Sequence, residues 1–239
     1  MGRSRYNFSA VLKAGLIGGI VAGAILGALI FVVMEPLIDE ALLYEEVPVE
    51  EEEEPEPVPR DLQRTYPVIG GIIAGIPLML IFGLFYGTFY RILPGKSAIS
   101  KALVLGIASF IVLSLVLFFK YPADPPGLVN DLDVSTRIAG RAGLQIIAAL
   151  GLVVPGALIW KLERSRGSKY SNATRATGVV VIFLLFVIAA ILLLPADIGF
   201  GATPPELIFQ FRVLSVVNSL VFWVIGAAVF GAVWTRFNK

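Results

Sequence analysis

The 239-residue chain contains no cysteine and no histidine. Lacking cysteine, it has neither a disulfide framework nor a thiolate metal site. Lacking histidine, it is without the usual general base and the commonest side-chain ligand for transition metals. Charge is scarce as well: Asp, Glu, Lys and Arg make up 15% of the residues, against about 25% in an ordinary soluble domain. No GxxxxGK[ST] stretch occurs, so P-loop ATP hydrolysis is excluded. No carboxylate falls at the centre of an apolar run, which removes a proton relay of the usual Asp/Glu/His kind. These absences argue against an enzyme and leave only aspartyl chemistry, at Asp124 and Asp197, as a route to one.

What the chain does have is length of apolar sequence: 57% of its residues are hydrophobic. Six runs are each long enough for the roughly 20 helical residues that a bilayer core requires. They lie near Ala10–Met34, Val68–Tyr90, Ile99–Phe119, Gly140–Trp160, Ala176–Leu194 and Val213–Thr235. The runs are continuous rather than alternating, which predicts helices and not a strand barrel. The fold class expected is all-α, a polytopic membrane helix bundle of six spans forming one membrane domain over residues 1–239. The first run is longer than the apolar core of about 7–15 residues in a signal peptide, and no clear small-x-small site follows it. It is therefore expected to remain as a span.

Charge placement orients the bundle. With the N-terminus inside, the inner segments hold Arg3, Arg5, Lys13, Arg91, Lys96, Lys101, Lys161, Arg164, Arg166, Lys169, Arg175, Arg236 and Lys239. That is 13 of the 19 basic residues, the bias that the positive-inside rule counts. Of the 18 acids only Glu163 falls inside. Six spans put both termini in the cytoplasm, and an odd number would carry Arg236 and Lys239 outside. The Asn172–Thr174 sequon then lies on the inner side and is read as chance.

The outer face is acidic. The loop expected at residues 35–66 includes VPVEEEEEPEPVP from Val47 to Pro59, where repulsion and proline favour an extended chain. It reads as a solvated spacer or as a funnel that concentrates cations. Ahead of it, EPLIDEALLYE (Glu35–Glu45) has apolar spacing that either continues the first helix or lies on the membrane surface. Glu35 and Asp39 share a helix face at a spacing of four. Glu40, Tyr44 and Glu45 add further oxygens. Hard oxygen donors hold divalent cations but do not by themselves select cobalt over magnesium or calcium.

A second acidic group follows the third run, in FFKYPADPPGLVNDLD (Phe118–Asp133). Pro122, Pro125 and Pro126 stop the helix. Lys120 is placed to snorkel to the headgroups and Tyr121 to sit at the interface. Asp124, Asp131 and Asp133 face outward, near the mouth of a vestibule or simply on a stiff turn. The third outer loop, Leu194–Arg212, carries Asp197 and Glu206. Arg212 enters the membrane region and is expected to snorkel or to pair with an outer acid.

Within the spans, Gly15, Gly19, Gly23 and Gly27 form one face of the first helix, and Gly71, Gly75, Gly83 and Gly87 keep the same phase in the second. Such faces let helices approach closely. Gln145 and Asn218 are the polar groups best placed to line a route or to hydrogen-bond between helices. Pro77 and Pro155 are candidate kinks.

Three stretches, EPLIDEALLYEE, KYPADPPG and PPELIFQFRVLSVVNSLVFWVIGAAVFG, occur in order after the first span, after the third and into the last. Together they resemble the CbtA family, the membrane subunit of a cobalt transporter. The resemblance implies a multi-pass protein of the prokaryotic plasma membrane, Co2+ or another divalent cation as the transported substrate, no resident cofactor and no nucleic-acid partner. It also implies a small, single-span, histidine-bearing partner subunit. Relatives often carry histidine in the loop after the first helix, where this chain offers carboxylates and Tyr44. Transient capture by Glu35, Asp39, Glu40, Tyr44, Glu45, Asp124, Asp131 and Asp133, imidazoles from the partner, or a different metal are the three readings. The alternative function is a membrane scaffold or assembly protein with no path of its own.

Overall fold

The computed structural model describes residues 7–44, 59–91, 93–166, 172–196 and 199–238. Glu45, Asp197 and nearly all of the acidic stretch from Val47 to Pro59 lie outside the described residues. The first run is helical from Phe8 to Leu42, as α1 (Phe8–Leu29), a π turn (Ile30–Met34) and α2 (Glu35–Leu42). The flank after the first span therefore continues its helix. Pro36 explains the π turn: it brings no N–H to the carbonyl of Val32, and the Glu35 N–H reaches back five residues to Ile30. α3 (Arg60–Phe89) begins eight residues before the expected boundary, so the loop between the first two long helices is shorter than residues 35–66. α4 (Ala98–Phe110), a second π turn (Ile111–Leu115) and α5 (Val116–Phe118) form the third run. α6 (Val134–Arg166), α7 (Asn172–Leu193) and α8 (Pro205–Phe237) complete the helices. Pro67, Pro77 and Pro155 lie within unbroken helix.

The all-α expectation holds. The only extended pairing among the described residues is two residues long, where Val129–Asn130 (β1) runs antiparallel to Gly199–Phe200 (β2). The span count is met in part. Among the described residues five helices are long and apolar enough to cross a membrane. α7 is the sixth rod, but its apolar stretch, Thr177–Leu193, is shorter than the others.

The chain divides into two compact units. The first comprises residues 1–110, 124–128 and 201–239. In it α1 packs against α3 and α8, and α4 packs against α8. The glycine faces of α1 and α3 meet each other. A Cβ on Gly23 would fall 2.2 Å from the Gly71 carbonyl oxygen, and one on Gly19 would fall 2.7 Å from that of Gly75. Toward the C-terminal ends of α3 and α8, Phe82, Tyr86, Phe230 and Trp234 interlock edge to face or stacked. The Tyr86 hydroxyl donates to the Ala98 carbonyl at 2.9 Å.

The second unit comprises residues 111–123 and 129–200. Val112, Val116, Tyr121, Leu144, Ala148, Phe183, Val187 and Ala190 form its core. Tyr121 is buried here rather than sitting in an interfacial belt. Its hydroxyl donates to the Pro195 carbonyl at 2.8 Å, and its ring closes over Gly140. Large apolar side chains stay exposed along every long helix, for example Ile69, Ile73 and Ile81 on α3 and Val181, Leu185 and Leu192 on α7. Such an outward apolar surface suits lipid as its solvent.

Candidate cation site at the charged helix ends

Glu35 is the first residue of α2, where the π turn hands over to regular helix. It is 6% exposed, an unusual state for a carboxylate. Asp39 follows one helical turn later, half-exposed, and accepts from Arg64 Nη2 of α3 at 2.5 Å. Glu40 is exposed and Tyr44 is half-buried just beyond the helix.

Asp124 belongs to the proline-rich turn of the first unit. The two prolines after it forbid helix, and Gly127 closes the turn with a φ of 81°, a left-handed conformation that glycine adopts without strain. This turn, which follows the end of α5 at Phe118, carries the Asp124 carboxylate to Arg212 of α8. Arg212 donates to Asp124 Oδ1 from Nε at 3.1 Å and from Nη2 at 2.6 Å. Arg212, expected to snorkel or to pair with an acid, pairs with Asp124. α8 begins at Pro205, so Glu206 and Arg212 are both within the helix.

Asp131 and Asp133 are exposed in the second unit. Asp133 precedes α6 and caps it. Its Oδ1 accepts from the Thr136 hydroxyl at 2.6 Å, and its Oδ2 accepts from the Thr136 N–H at 3.0 Å and from the Ser135 hydroxyl. The Ser135 hydroxyl, then the Thr136 hydroxyl and amide, hold the Asp133 carboxyl well below the usual carboxylate range.

Among the described residues, no three Asp or Glu side chains gather closely enough to hold a metal ion. Asp39 and Asp124 are compensated by arginines, while Glu40 and Asp131 present open carboxylates to solvent. Lys120 is half-buried in the turn after α5. Gln145 donates from Nε2 to the Leu113 carbonyl at 3.1 Å, inside the second π turn. Asn218 is buried on α8, and its Nδ2 has no hydrogen-bond partner. Sequence reasoning missed two groups, Arg64 as the partner of Asp39 and Thr203 as a buried hydroxyl. For Arg64 the available signal was its place among the few basic residues on the outer side; Thr203 left none.

A family model described as "Probable cobalt transporter subunit (CbtA)" matches residues 8–235. The chain belongs to the CbtA family. The match takes in the three stretches that carried the resemblance, together with the charged residues of the candidate site. A CbtA family member with several long apolar helices is a multi-pass membrane protein and a transporter subunit. No curated protein and no solved structure matches the chain.

Proposed function

We propose that this chain is the membrane subunit of a divalent-cation uptake system, with Co2+ as the favoured substrate. It crosses a prokaryotic plasma membrane six times, α7 included, with both termini cytoplasmic. It performs no covalent chemistry. The observation that carries the reading is the family match over residues 8–235. The exposed carboxylates Glu40 and Asp131 support a capture role at the outer face, because open acids draw cations toward a mouth. Asp39 and Asp124 contribute field more than ligation, each being held by an arginine.

With oxygen donors alone, capture is weakly selective between metals. A small single-span partner bearing histidine supplies the discrimination in this reading. The test is metal accumulation in cells expressing the chain alone and with its genomic neighbour, with cobalt, nickel and zinc in parallel. Cobalt uptake by the pair and not by the chain alone assigns the imidazoles to the partner. Uptake by the chain alone places selectivity in its oxygen ligands. No accumulation in either case, with both proteins in the membrane, replaces this reading with an assembly role.

A further inference from the structure

Two arginines of the first unit are neutralised by carboxylates, Arg64 by Asp39 and Arg212 by Asp124. The second unit holds one that is not. Arg141 lies within α6, in the apolar stretch Val134–Leu158. Among the described residues its guanidinium makes a single hydrogen bond, from Nη2 to the Pro122 carbonyl at 3.3 Å, which is long for such a bond. Its Nε is closed off from solvent and finds no acceptor. Among the described residues no carboxylate pairs with it. A cation in a membrane helix without a counter-charge is costly, so the protein by itself leaves this group incomplete.

The fold fixes where the cation stands. Arg141 is seven residues into α6, about 10 Å along its axis. Long side chains on a helix lean toward its N-terminus, and the bond to Pro122 holds the head of this one beside the turn after α5. Tyr121 pins that turn to α6. Its ring closes over Gly140, the residue before Arg141, and its hydroxyl donates to the Pro195 carbonyl at 2.8 Å. Lys120 precedes Tyr121; it is half-buried, and among the described residues no acceptor holds its ammonium. Lys120 and Arg141 thus flank the short stretch Tyr121–Pro122 with two uncompensated charges. The turn ends an apolar run, which puts the guanidinium at headgroup level while its stem lies along the helix. Beside Arg141, Val134, Ile138, Ala142 and Ile146 form an exposed row at a spacing of four, with Ile138 63% and Ile146 59% exposed. A cation above an open apolar row fits an amphipathic occupant, with an anion at the surface and a hydrocarbon chain running deeper. The planar guanidinium matches two oxygens of a phosphodiester. Two cations against one phosphate favour a lipid with no positive group of its own.

We infer that an anionic phospholipid binds the second unit, its phosphodiester held by the Arg141 guanidinium and the Lys120 ammonium and an acyl chain lying along Ile138 and Ile146. This site is independent of the cation-uptake reading.

The experiment places the purified full chain in nanodiscs of phosphatidylcholine alone and of phosphatidylcholine with phosphatidylglycerol. Thermal midpoints are measured, and native mass spectrometry counts the phosphatidylglycerol that stays bound on release from the disc. The proteins compared are the unaltered chain, Arg141→Gln, Arg141→Lys, Lys120→Gln and Arg236→Gln, the last at an exposed arginine near the end of α8. Phosphatidylglycerol should raise the midpoint of the unaltered chain by about 3 °C. Arg141→Gln should lose that rise and keep about tenfold less phosphatidylglycerol, the worth of one charge-assisted hydrogen bond. In phosphatidylcholine alone it should melt with the unaltered chain, because it gives up only a long bond to a carbonyl. Arg141→Lys keeps the charge without the planar fork, so its loss should be partial, as should that of Lys120→Gln. Arg236→Gln should behave as the unaltered chain. No rise in the unaltered chain, or a full rise in Arg141→Gln, overturns the inference and leaves the guanidinium to a carboxylate of another protein. A loss in Arg236→Gln as large as in Arg141→Gln overturns it too, since charge anywhere would then suffice. Should Arg141→Gln fail to fold, full lipid retention in both Arg141→Lys and Lys120→Gln overturns it. Inorganic phosphate added to phosphatidylcholine discs should leave the midpoint unchanged; a rise that Lys120→Gln and Arg141→Gln remove assigns the site to a soluble anion instead.

Discussion

Arg212 grips a single oxygen of Asp124 with two donors, Nε at 3.1 Å and Nη2 at 2.6 Å, across 88 residues of sequence. The Asp124 side chain is only 10% exposed. The pair ties the proline-rich turn to the N-terminal part of the last helix. It makes the charges beside that turn structural before they are anything else.

Removing either partner leaves the other charge partly buried. Asp124→Ala or Arg212→Ala alone should each cost about 3 kcal/mol. The double replacement should cost clearly less than the two single costs together, because the two groups interact directly. Thermal unfolding of the four proteins in detergent measures this. If uptake lost in Asp124→Ala returns partly in the double variant, the acid acts through its pairing and not as a cation ligand.

The meeting of α1 with α3 is the least tolerant contact. A Cβ on Gly23 would sit 2.2 Å from the Gly71 oxygen, which is backbone and has nowhere to yield. Gly23→Ala should destabilise by about 2 kcal/mol or more and reduce the amount of folded protein. A methyl on Gly70, in the same α3 helix, would meet nothing within 4 Å, so Gly70→Ala should be neutral within about 0.5 kcal/mol. Equal losses in the two variants would refute the close-approach account.

Gln145 has its donor committed to the Leu113 carbonyl at 3.1 Å. Gln145→Leu should lower stability by about 1 kcal/mol, the usual worth of such a bond between membrane helices. Cobalt uptake per folded molecule should be unchanged. A selective loss of uptake at full stability would return Gln145 to the groups lining a path.

The Asp133 cap predicts an acid-dependent step. Its folded carboxyl lies below the ordinary value of about 3.9 because Ser135 and Thr136 donate to its charged form. A depressed folded value means that the cap's stabilisation is complete above the unfolded value and is lost as pH falls through the folded one. Melting curves of the unaltered chain and Asp133→Asn should therefore differ at neutral pH. They should begin to converge as the pH falls below about 4, and the gap should close only in strong acid. Curves that remain parallel throughout would rule out a charged cap.

Much of the molecule follows from composition and spacing alone. Long uninterrupted apolar runs without cysteine or histidine demand helices in lipid, because a bilayer leaves no other way to satisfy the backbone. The glycine phase of α1 and α3 announced their close packing, and Pro122, Pro125 and Pro126 placed the break after α5. The charge of Arg212 required an acid, although nothing along the chain said which. Tertiary structure chose among partners that sequence leaves equivalent. It gave Asp39 to Arg64 and Asp124 to Arg212, and it left Glu40 and Asp131 open, since these outcomes depend on which helix ends stand side by side. It sank Tyr121 into a core where its hydroxyl finds Pro195, and it buried Glu35 and Asn218 while leaving Nδ2 of Asn218 without a partner. Burial and pairing are properties of neighbours brought together through space, and local spacing carries no record of them.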